Sequence, residues 1–295
     1  MRKFQFLSSF WLKILALFFM TLDHVGLMLS MAPYSGTLSI VCDVLRGLGR
    51  LALPLFVFMI VEGVIHSKNI KKYFLRLGIM ALAISIFLLL ISYIDFGVDT
   101  GGLENQGNIF LDLLLIAFGV YLLKQDNKWL KLLILLPFAI SFLSFFAKGY
   151  EVANNVDVLW YPNWLYLQYD WFSFLLGIAF YLSYKLMDLY KEFAKSSLGI
   201  DPVIWEVNGN YRFGVALIQV LTLTITSILF YCTKFVWPEG IFWSTNTQLL
   251  AIFSGAFILL YDGQRGYNAK WFQYGSYLYY PLHLIIIMLV YVLFL

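Results

Sequence analysis

Long apolar runs separated by short polar segments divide the chain into nine predicted membrane spans. An α-helix needs about 20 apolar residues to cross the hydrocarbon core of a bilayer, and most of the runs reach or approach that length. The predicted spans are 10–31, 48–67, 73–95, 108–124, 129–147, 166–190, 212–233, 247–262 and 273–294. The pattern therefore predicts an all-α, polytopic transmembrane helix bundle with about nine spans, within a range of about eight to ten.

Two stretches leave the number of crossings open. Residues 38–49, just before the second span, are predicted either as a separate short helix or as a re-entrant one. The eighth span, 247–262, is short for a full crossing and is expected to be tilted or half-buried.

The distribution of basic residues between the loops predicts the orientation, because Lys and Arg collect on the cytoplasmic side. With an inside N-terminus, 16 of the 20 basic residues fall on the inner side. The four on the outer side are Arg46, Arg50, Lys148 and Lys234. The sequence thus predicts an inside N-terminus, an outside C-terminus and a multi-pass protein of the cell membrane.

Composition excludes an ordinary soluble domain. The chain is 61% hydrophobic and 13% charged, with a mean hydropathy of +0.80, whereas soluble domains are about 25% charged. The largest loops, 148–165 and 191–211, are short connectors, so we expect one integral-membrane domain over 1–295. Cys42 and Cys232 lack ligand spacing, so neither a metal site nor a disulfide framework is expected. The basic residues are spread along the inner face, which gives no support for nucleic-acid binding.

Asp23 and His24 lie within the first predicted span, in the run LKILALFFMTLDHVG at 12–26. An ionisable group inside a bilayer costs at least ~2.5 kcal/mol, so such groups usually face the interior of a helix bundle. Two readings follow. The pair joins helices as a polar patch, or it forms part of a functional site.

Polar groups on other spans favour a functional site. Arg46 and Arg50 are four apart and are predicted to share one helix face near the outer end of the second span. Glu62 and His66 have the same spacing near its inner end, and Pro54 between the two pairs is expected to kink the helix. Three more polar groups lie on the fourth, sixth and last spans: Asp112, Asp170 and His283. Because at least five helices contribute, we expect these groups to line one internal cavity.

Helical phase links His24 to the inner membrane surface. Lys13 lies eleven residues earlier, on nearly the same face and about 16 Å away along the axis. This stripe suits an elongated anionic substrate with phosphates at the inner surface and a reactive end at the membrane centre. Lys68, Lys72 and Arg76 lie at the same inner level and can bind phosphates. The positive-inside rule alone also accounts for these cations.

Four segments resemble the TraX family, whose namesake is required for N-terminal acetylation of conjugative pilin. They are LKILALFFMTLDHVG at 12–26, GRLALPLFVFMIVEGVIHSKNIKKYFLRL at 49–77, GNIFLDLLLIAFGVYLL at 107–123, and ILLYDGQRGYNAKWFQYGSYLYYPLHL at 258–284. The most specific blocks are Asp-His, Arg-Leu-Ala-x-Pro-x-Phe-x-x-x-x-x-Glu-Gly and Tyr-Pro-Leu-His, in that order. The matching residues are Asp23, His24, Arg50, Pro54, Glu62, Gly63, His66, Arg76, Asn108, Tyr280, Pro281 and His283. The resemblance is weaker between 140 and 245.

This resemblance implies a membrane-integral acyltransferase of the bacterial inner membrane. The donor would be cytosolic acetyl-CoA, and the acceptor an amine or hydroxyl of a pilin N-terminus or an envelope glycan. His24 would be the catalytic base, a role that suits an imidazole because its pKa lies near neutral pH. Direct transfer is the leading hypothesis, and an acetyl-histidine intermediate is the alternative.

The resemblance also suggests roles for the other polar residues. Asp23 would neutralise Arg46 or Arg50, since adjacent helical residues point about 100° apart and Asp23 cannot easily orient His24. Arg50, and His283 with Tyr280, would stabilise the thioester oxyanion. Four cations would bind acetyl-CoA: Lys13, Lys68, Lys72 and Arg76. Residues that either bind substrate or are structural are Glu62, His66, Asn108, Asp170 and Tyr280.

Two other protein classes show similar features. A proton-coupled transporter also buries Asp, Glu and His on several helices, although no inverted repeat is visible in this sequence. A b-type haem protein could use His24 and His283 as axial ligands.

Overall fold

The computed structural model describes residues 4–31, 37–93, 107–154, 156, 158–199, 201, 210–236 and 245–294. In these ranges the chain is helical, and strand pairing is confined to one isolated bridge between Leu7 and Tyr261. The helices are α1 (Ser9–Met31), α2 (Thr37–Gly49), α3 (Ala52–His66), α4 (Ile70–Tyr93), α5 (Ile109–Lys124), α6 (Lys128–Leu132), α7 (Leu135–Asn154), α8 (Asp170–Leu198), α9 (Asn210–Val236), α10 (Thr245–Gln248), α11 (Gly255–Leu259) and α12 (Lys270–Phe294). Short 3-10 helices occupy Asn163–Leu165 and Leu249–Ser254. The predicted all-α fold is confirmed.

Six helical segments in the described part of the chain are long and apolar enough to cross a membrane. They are Ser9–Ser30, Leu38–His66, Ile70–Leu90, Lys128–Glu151, Asn163–Ser197 and Tyr211–Thr233, and Leu249–Leu259 is a shorter apolar segment. The chain is therefore a multi-pass membrane protein. The number of further crossings and the orientation remain predictions.

The second predicted span consists of two helices, because the chain turns between α2 and α3. The amide of Arg50 donates to the carbonyl of Gly47 at 3.3 Å, and that of Leu51 to Leu48 at 3.2 Å. Pro54 consequently lies in the first turn of α3, where the helix does not need its missing N–H. The helix is thus interrupted at Arg50 and Leu51, within the single candidate span Leu38–His66, which agrees with a kink caused by Pro54.

Two predicted connectors are partly helical. α7 continues to Asn154 and α8 to Leu198, into the segments predicted as the loops 148–165 and 191–211. Gly199 ends α8 in the left-handed conformation, with φ of 64°, which glycine adopts without steric penalty. α8 is thus longer than the predicted span and extends past its apolar part.

α3 is the central helix of the bundle. It packs against α1, α5 and α8, and its side chains from Ala52 to Leu55 are all buried. Phe58 is fully buried between the rings of Phe180 and Tyr261. The carboxylate of Glu62 on α3 therefore lies inside the protein.

Glycines allow α1 and α2 to approach each other closely. A Cβ atom on Gly49 would lie 2.6 Å from the Cα of Asp23, and one on Gly26 would lie 2.9 Å from the Cβ of Leu45. Small residues at such crossings are typical of membrane helix pairs. The close approach brings the end of α2 against Asp23.

The segment before α1 is tied to the loop before α12. The amides of Phe6 and Leu7 both donate to the carbonyl of Leu260 at 2.9 Å, and the amide of Ser9 donates to Gln264 at 2.8 Å. α12 then packs against α1. The two helices thus start from the same end of the bundle and run side by side.

Candidate functional site

The rings of His24 and His283 are in direct contact between α1 and α12. Nδ1 of His24 lies 2.7 Å from Nε2 of His283, and both side chains are buried. Nδ1 of His283 lies 2.8 Å from the carbonyl oxygen of Tyr279, one turn earlier in α12. The two predicted catalytic histidines, 259 residues apart in sequence, are therefore neighbours.

A small cavity of about 20 Å³ lies beside His24. Its other lining residues include Ile84 and Leu88 of α4, Gln168, and Tyr280 and Leu284 of α12. The ring of Tyr280 meets His24 edge-on, with centroids 6.1 Å apart. A volume of this size holds about one water molecule, so the ring of His24 lies next to space that a small group can enter.

Asp23, a little past the middle of α1, binds two arginines. Nη1 of Arg46 donates to Oδ2 at 3.1 Å, and Nη2 of Arg50 lies 3.3 Å from Oδ1. Arg50 is only 4% exposed, and its Nε and Nη2 make no hydrogen bond among the described residues. Arg50 follows the last residue of α2, and both arginines reach the same carboxylate, as residues that share one helix face would. The turn brings both to Asp23.

Glu62 is the centre of a second polar cluster, at the opposite end of the bundle. Its carboxylate accepts from the hydroxyl of Tyr184, from Nη1 of Arg212 at 3.3 Å and from the hydroxyl of Tyr261 at 3.3 Å. The guanidinium of Arg212 also lies over the ring of Tyr261, 4.2 Å from its centroid. The sequence analysis did not select Tyr184, Arg212 or Tyr261.

His66 lies at the edge of this cluster. Its Nδ1 is 3.1 Å from the backbone carbonyl of Glu62 and 3.7 Å from the carboxylate, and its side chain is 60% exposed. Glu62 therefore has its closer side-chain partners on α8, on α9 and in the loop before α12. Nearby, Nζ of Lys124 donates to the carbonyls of Val64 and Ile65 at 3.0 and 3.1 Å and caps the end of α3.

A third polar cluster joins α5, α7 and α8. Asp170 forms an ion pair with Lys148, and Asp112 accepts from the amide of Gln168 and the hydroxyl of Ser173, both at 2.6 Å. In the adjoining loop, burial and then the charge of Asp170 raise the pKa of Tyr161 to about 12. This set of contacts gives Asp170 a structural role.

Asn108 is also structural. Its side-chain oxygen accepts from the amide of Phe110 at 3.0 Å and caps α5, while Nδ2 donates to the carbonyl of Ala81 at 2.7 Å and to Ser85 at 3.0 Å. Glu62 and His66 lie apart from the other polar groups, so the prediction that all of these groups line one cavity is wrong. Asp23 and Asp112, by contrast, are both near enough to Tyr169 and Tyr280 for their charges to interact. Of the selected residues, His24 and Tyr280 line the cavity described above, and His283 contacts Nδ1 of His24.

The cations selected for the donor substrate lie near the Glu62 end of the bundle. Nζ of Lys13 lies 5.6 Å from the centroid of the Phe272 ring, and Lys13 is near enough to Arg76 for their charges to interact. Lys68 and Lys72 are exposed at the turn between α3 and α4, and Arg76 is half-buried one turn further along. The four cations are therefore available to an anionic ligand at this end.

The described ranges contain no group of three or more His, Cys, Asp and Glu residues placed to hold a metal ion. The contact between His24 and His283 also bears on the haem alternative. Two ring nitrogens that share one hydrogen bond at 2.7 Å leave no room for an iron between them. The arrangement instead suits proton transfer.

Comparisons with known proteins relate the chain to a family. A family model described as TraX protein matches residues 8–291. A relative described as probable fimbrial assembly protein FimC, serogroup H1, of Dichelobacter nodosus is 33% identical over 142 residues, which is 47% of this chain and 55% of that protein. The chain thus spans about half the length of this curated relative. No solved structure matches.

Proposed function

The chain belongs to the TraX family, and from this premise we propose that it is a membrane-integral acetyltransferase of the bacterial inner membrane. It moves an acetyl group from cytosolic acetyl-CoA to an amine or hydroxyl of a membrane or cell-surface acceptor. The observation that carries this proposal is a buried histidine, His24, which contacts a second histidine and borders a cavity inside the bundle.

In the proposed reaction His24 acts as general base. It removes the proton of the attacking amine or hydroxyl as the new bond to the acetyl carbonyl carbon forms. The carbon–sulfur bond of the thioester then breaks, and the CoA thiolate takes the proton back from His24. The acceptor gains the acetyl group and CoA leaves as the thiol, so atoms and protons balance in one direct transfer.

Arg50 is the proposed stabiliser of the thioester oxyanion. Its buried guanidinium shares Asp23 with Arg46, so two positive charges face one negative charge. Its Nε and Nη2 also make no hydrogen bond in the described part of the chain. A buried, preorganised cation whose Nε has no hydrogen-bond partner among the described residues suits a negative charge that develops in the transition state.

The four cations near the Glu62 end suit the phosphates of acetyl-CoA. Lys13, Lys68, Lys72 and Arg76 lie near the predicted inner surface, where this donor is dissolved, and phosphate recognition relies on such charges. The inner location comes from the distribution of Lys and Arg between the loops. A donor bound there reaches toward His24 along α1, which carries both Lys13 and His24.

The acceptor is proposed to be a pilin N-terminus or an envelope glycan. The family and the fimbrial name of the relative support a pilin-related role. The resemblance is weak between about 140 and 245, so a different acceptor from that of the family's namesake is compatible with the sequence.

The experiment measures transfer from radiolabelled acetyl-CoA by the purified protein in detergent, with an envelope extract as acceptor. We expect His24→Ala to lower turnover at least 100-fold, the scale of general base catalysis. Asp43→Ala is the control, because it removes an exposed ionisable side chain of α2 that has no proposed role, and it should retain activity. Absence of both CoA binding and turnover in the wild type would instead favour a proton-coupled transporter.

A further inference from the structure

We propose that His283 is a positioning residue, which holds His24 in the tautomer with its proton on Nδ1 and so leaves Nε2 as the basic nitrogen. This inference rests on the proposed function for its catalytic meaning. The tautomer itself follows from contacts within the chain.

The contact with Tyr279 determines which nitrogen of His283 carries the proton. Its Nδ1 lies 2.8 Å from the carbonyl oxygen of Tyr279. A carbonyl oxygen accepts hydrogen bonds and cannot donate, so Nδ1 of His283 must carry the proton. A neutral imidazole carries only one N–H. The Nε2 atom of His283 is therefore a bare acceptor.

The tautomer of His283 in turn determines the tautomer of His24. Nδ1 of His24 lies 2.7 Å from Nε2 of His283, and because that nitrogen is an acceptor, Nδ1 of His24 must donate. The other ring nitrogen of His24, Nε2, then has no proton. No other hydrogen bond to the His24 ring is found among the described residues, so this nitrogen is available to a substrate.

Further contacts fix the position of His283 itself. The ring of Tyr279 lies parallel to that of His283, at an angle of 4° and a centroid distance of 5.2 Å. The hydroxyl of Tyr279 also lies 2.7 Å from that of Thr21, about one turn before His24 in α1. Two successive turns of α12 are thus bonded to two successive turns of α1. Such a paired contact fixes the height and the rotation of one helix against the other.

The same arrangement stabilises the protonated base. When Nε2 of His24 takes the acceptor's proton, the ring becomes an imidazolium and its Nδ1–H bond to His283 becomes charge-assisted, hence stronger. The proton then leaves from Nε2 to the CoA thiolate. Besides His283, the charged groups that act on His24 from outside α1 are Arg46 and Arg50, and both arginines are paired with Asp23, the residue before His24.

The first test is nitrogen-15 NMR of the protein labelled only at histidine, in detergent at a pH where imidazoles are neutral. The chain has three histidines, and a His66→Asn variant removes the exposed one and assigns its signals. We expect both remaining rings to be protonated at Nδ1 and bare at Nε2. A His24 ring protonated at Nε2 would overturn the proposal.

The second test compares three substitutions of His283. In His283→Gln the side-chain oxygen can occupy the place of Nε2 and accept from His24, whereas His283→Asn is too short and His283→Leu cannot accept. We expect the Gln variant to retain kcat within about tenfold, and the Asn and Leu variants to lose about 100-fold or more. KM for acetyl-CoA should stay within about threefold in all of them, because His283 makes no contact with Lys13, Lys68, Lys72 or Arg76 among the described residues.

The two tests separate this inference from the proposed function. If the Leu variant keeps the kcat of the wild type, His283 does not position the base, although the chain is still an acetyltransferase. If the wild type transfers no acetyl group, the proposed function is wrong, and the NMR spectrum alone decides the tautomer. A circular dichroism melt of each variant identifies any loss of kcat that comes from unfolding.

Discussion

At the scale of single residues, charge balance around Asp23 explains why two arginines are tolerated inside the protein. Removing each ion from water costs several kcal/mol, and only a counter-ion placed close to it offsets that cost. Asp23 supplies that counter-ion to Arg46 and Arg50 at 3.1 and 3.3 Å. The aspartate is therefore needed for the fold as well as for the environment of His24.

We predict that Asp23→Asn lowers the free energy of unfolding by about 3 to 5 kcal/mol, because it leaves two arginines without their counter-ion. The measurement is reversible unfolding in mixed detergent micelles. Asp43→Asn is the control, since Asp43 is exposed on α2 and its loss should change stability by less than about 0.5 kcal/mol. Equal stability of the two variants would contradict the argument.

Sequence reasoning identified the partners of Asp23 but not those of Glu62. Arg46 and Arg50 follow Asp23 by 23 and 27 residues, at the same predicted depth, so pairing them requires only adjacent spans. Arg212 follows Glu62 by 150 residues and stands at the end of an apolar run, where the positive-inside rule already explains it. The predicted depth in the membrane could have linked Glu62 and Arg212, because both residues lie at the inner ends of predicted spans.

At the scale of helices, the α1–α2 contact depends on the missing side chain of Gly49. A Cβ there would lie 2.6 Å from the backbone of Asp23, so the helices must separate to admit it. We predict that Gly49→Ala destabilises the protein by about 1 to 3 kcal/mol and lowers activity, because Arg50 moves with α2. Thermal unfolding and acetyl transfer measure the two effects.

Gly78→Ala is the matched control for this prediction. Gly78 lies inside α4, and a Cβ at that position would have no atom within 4 Å. Alanine is favoured over glycine in a helix by about 1 kcal/mol, so this variant should be as stable as the wild type or more stable. A destabilising effect at both glycines would mean that contact with Asp23 is not the cause.

Helix boundaries were the least predictable part of the fold. Hydropathy indicates which residues lie in lipid. The sequence on both sides of Arg50 is apolar, so hydropathy does not mark the turn between α2 and α3. The same limit applies to α8, which continues about two turns past its apolar part because nothing before Gly199 stops it. A hydropathy pattern therefore cannot locate a turn inside an apolar run. It also cannot show where a helix continues beyond the membrane.

At the scale of the whole molecule, the polar clusters fit the predicted orientation. Glu62, Arg212 and Tyr261 lie at the end that carries the predicted inner loops, whereas Asp112 and Asp170 lie at the predicted outer end. Segments that the Lys and Arg distribution assigns to one side are thus found together in space. The side of the membrane that each end of the bundle faces can be measured directly.

We predict that Asp126→Cys is labelled only from the cytoplasm and Ala153→Cys only from outside. Both positions are exposed, and they lie at opposite ends of α7 with its preceding helix α6. The variants are made after replacing Cys42 and Cys232 by serine, and a membrane-impermeant maleimide is applied to intact cells and to lysed cells. Labelling of Asp126→Cys in intact cells would reverse the predicted orientation.

The sequence separation of 259 positions from His24 to His283 has a consequence for biosynthesis. Helices enter the membrane in order as the ribosome extends the chain, so α1 inserts long before α12 exists. During that interval the imidazole of α1 has no partner to fix its tautomer. Under the proposed function, the nascent protein has His24 from the start, but His24 becomes a working base only when α12 docks. A chain that stalls before that point would reach the membrane without transferase activity.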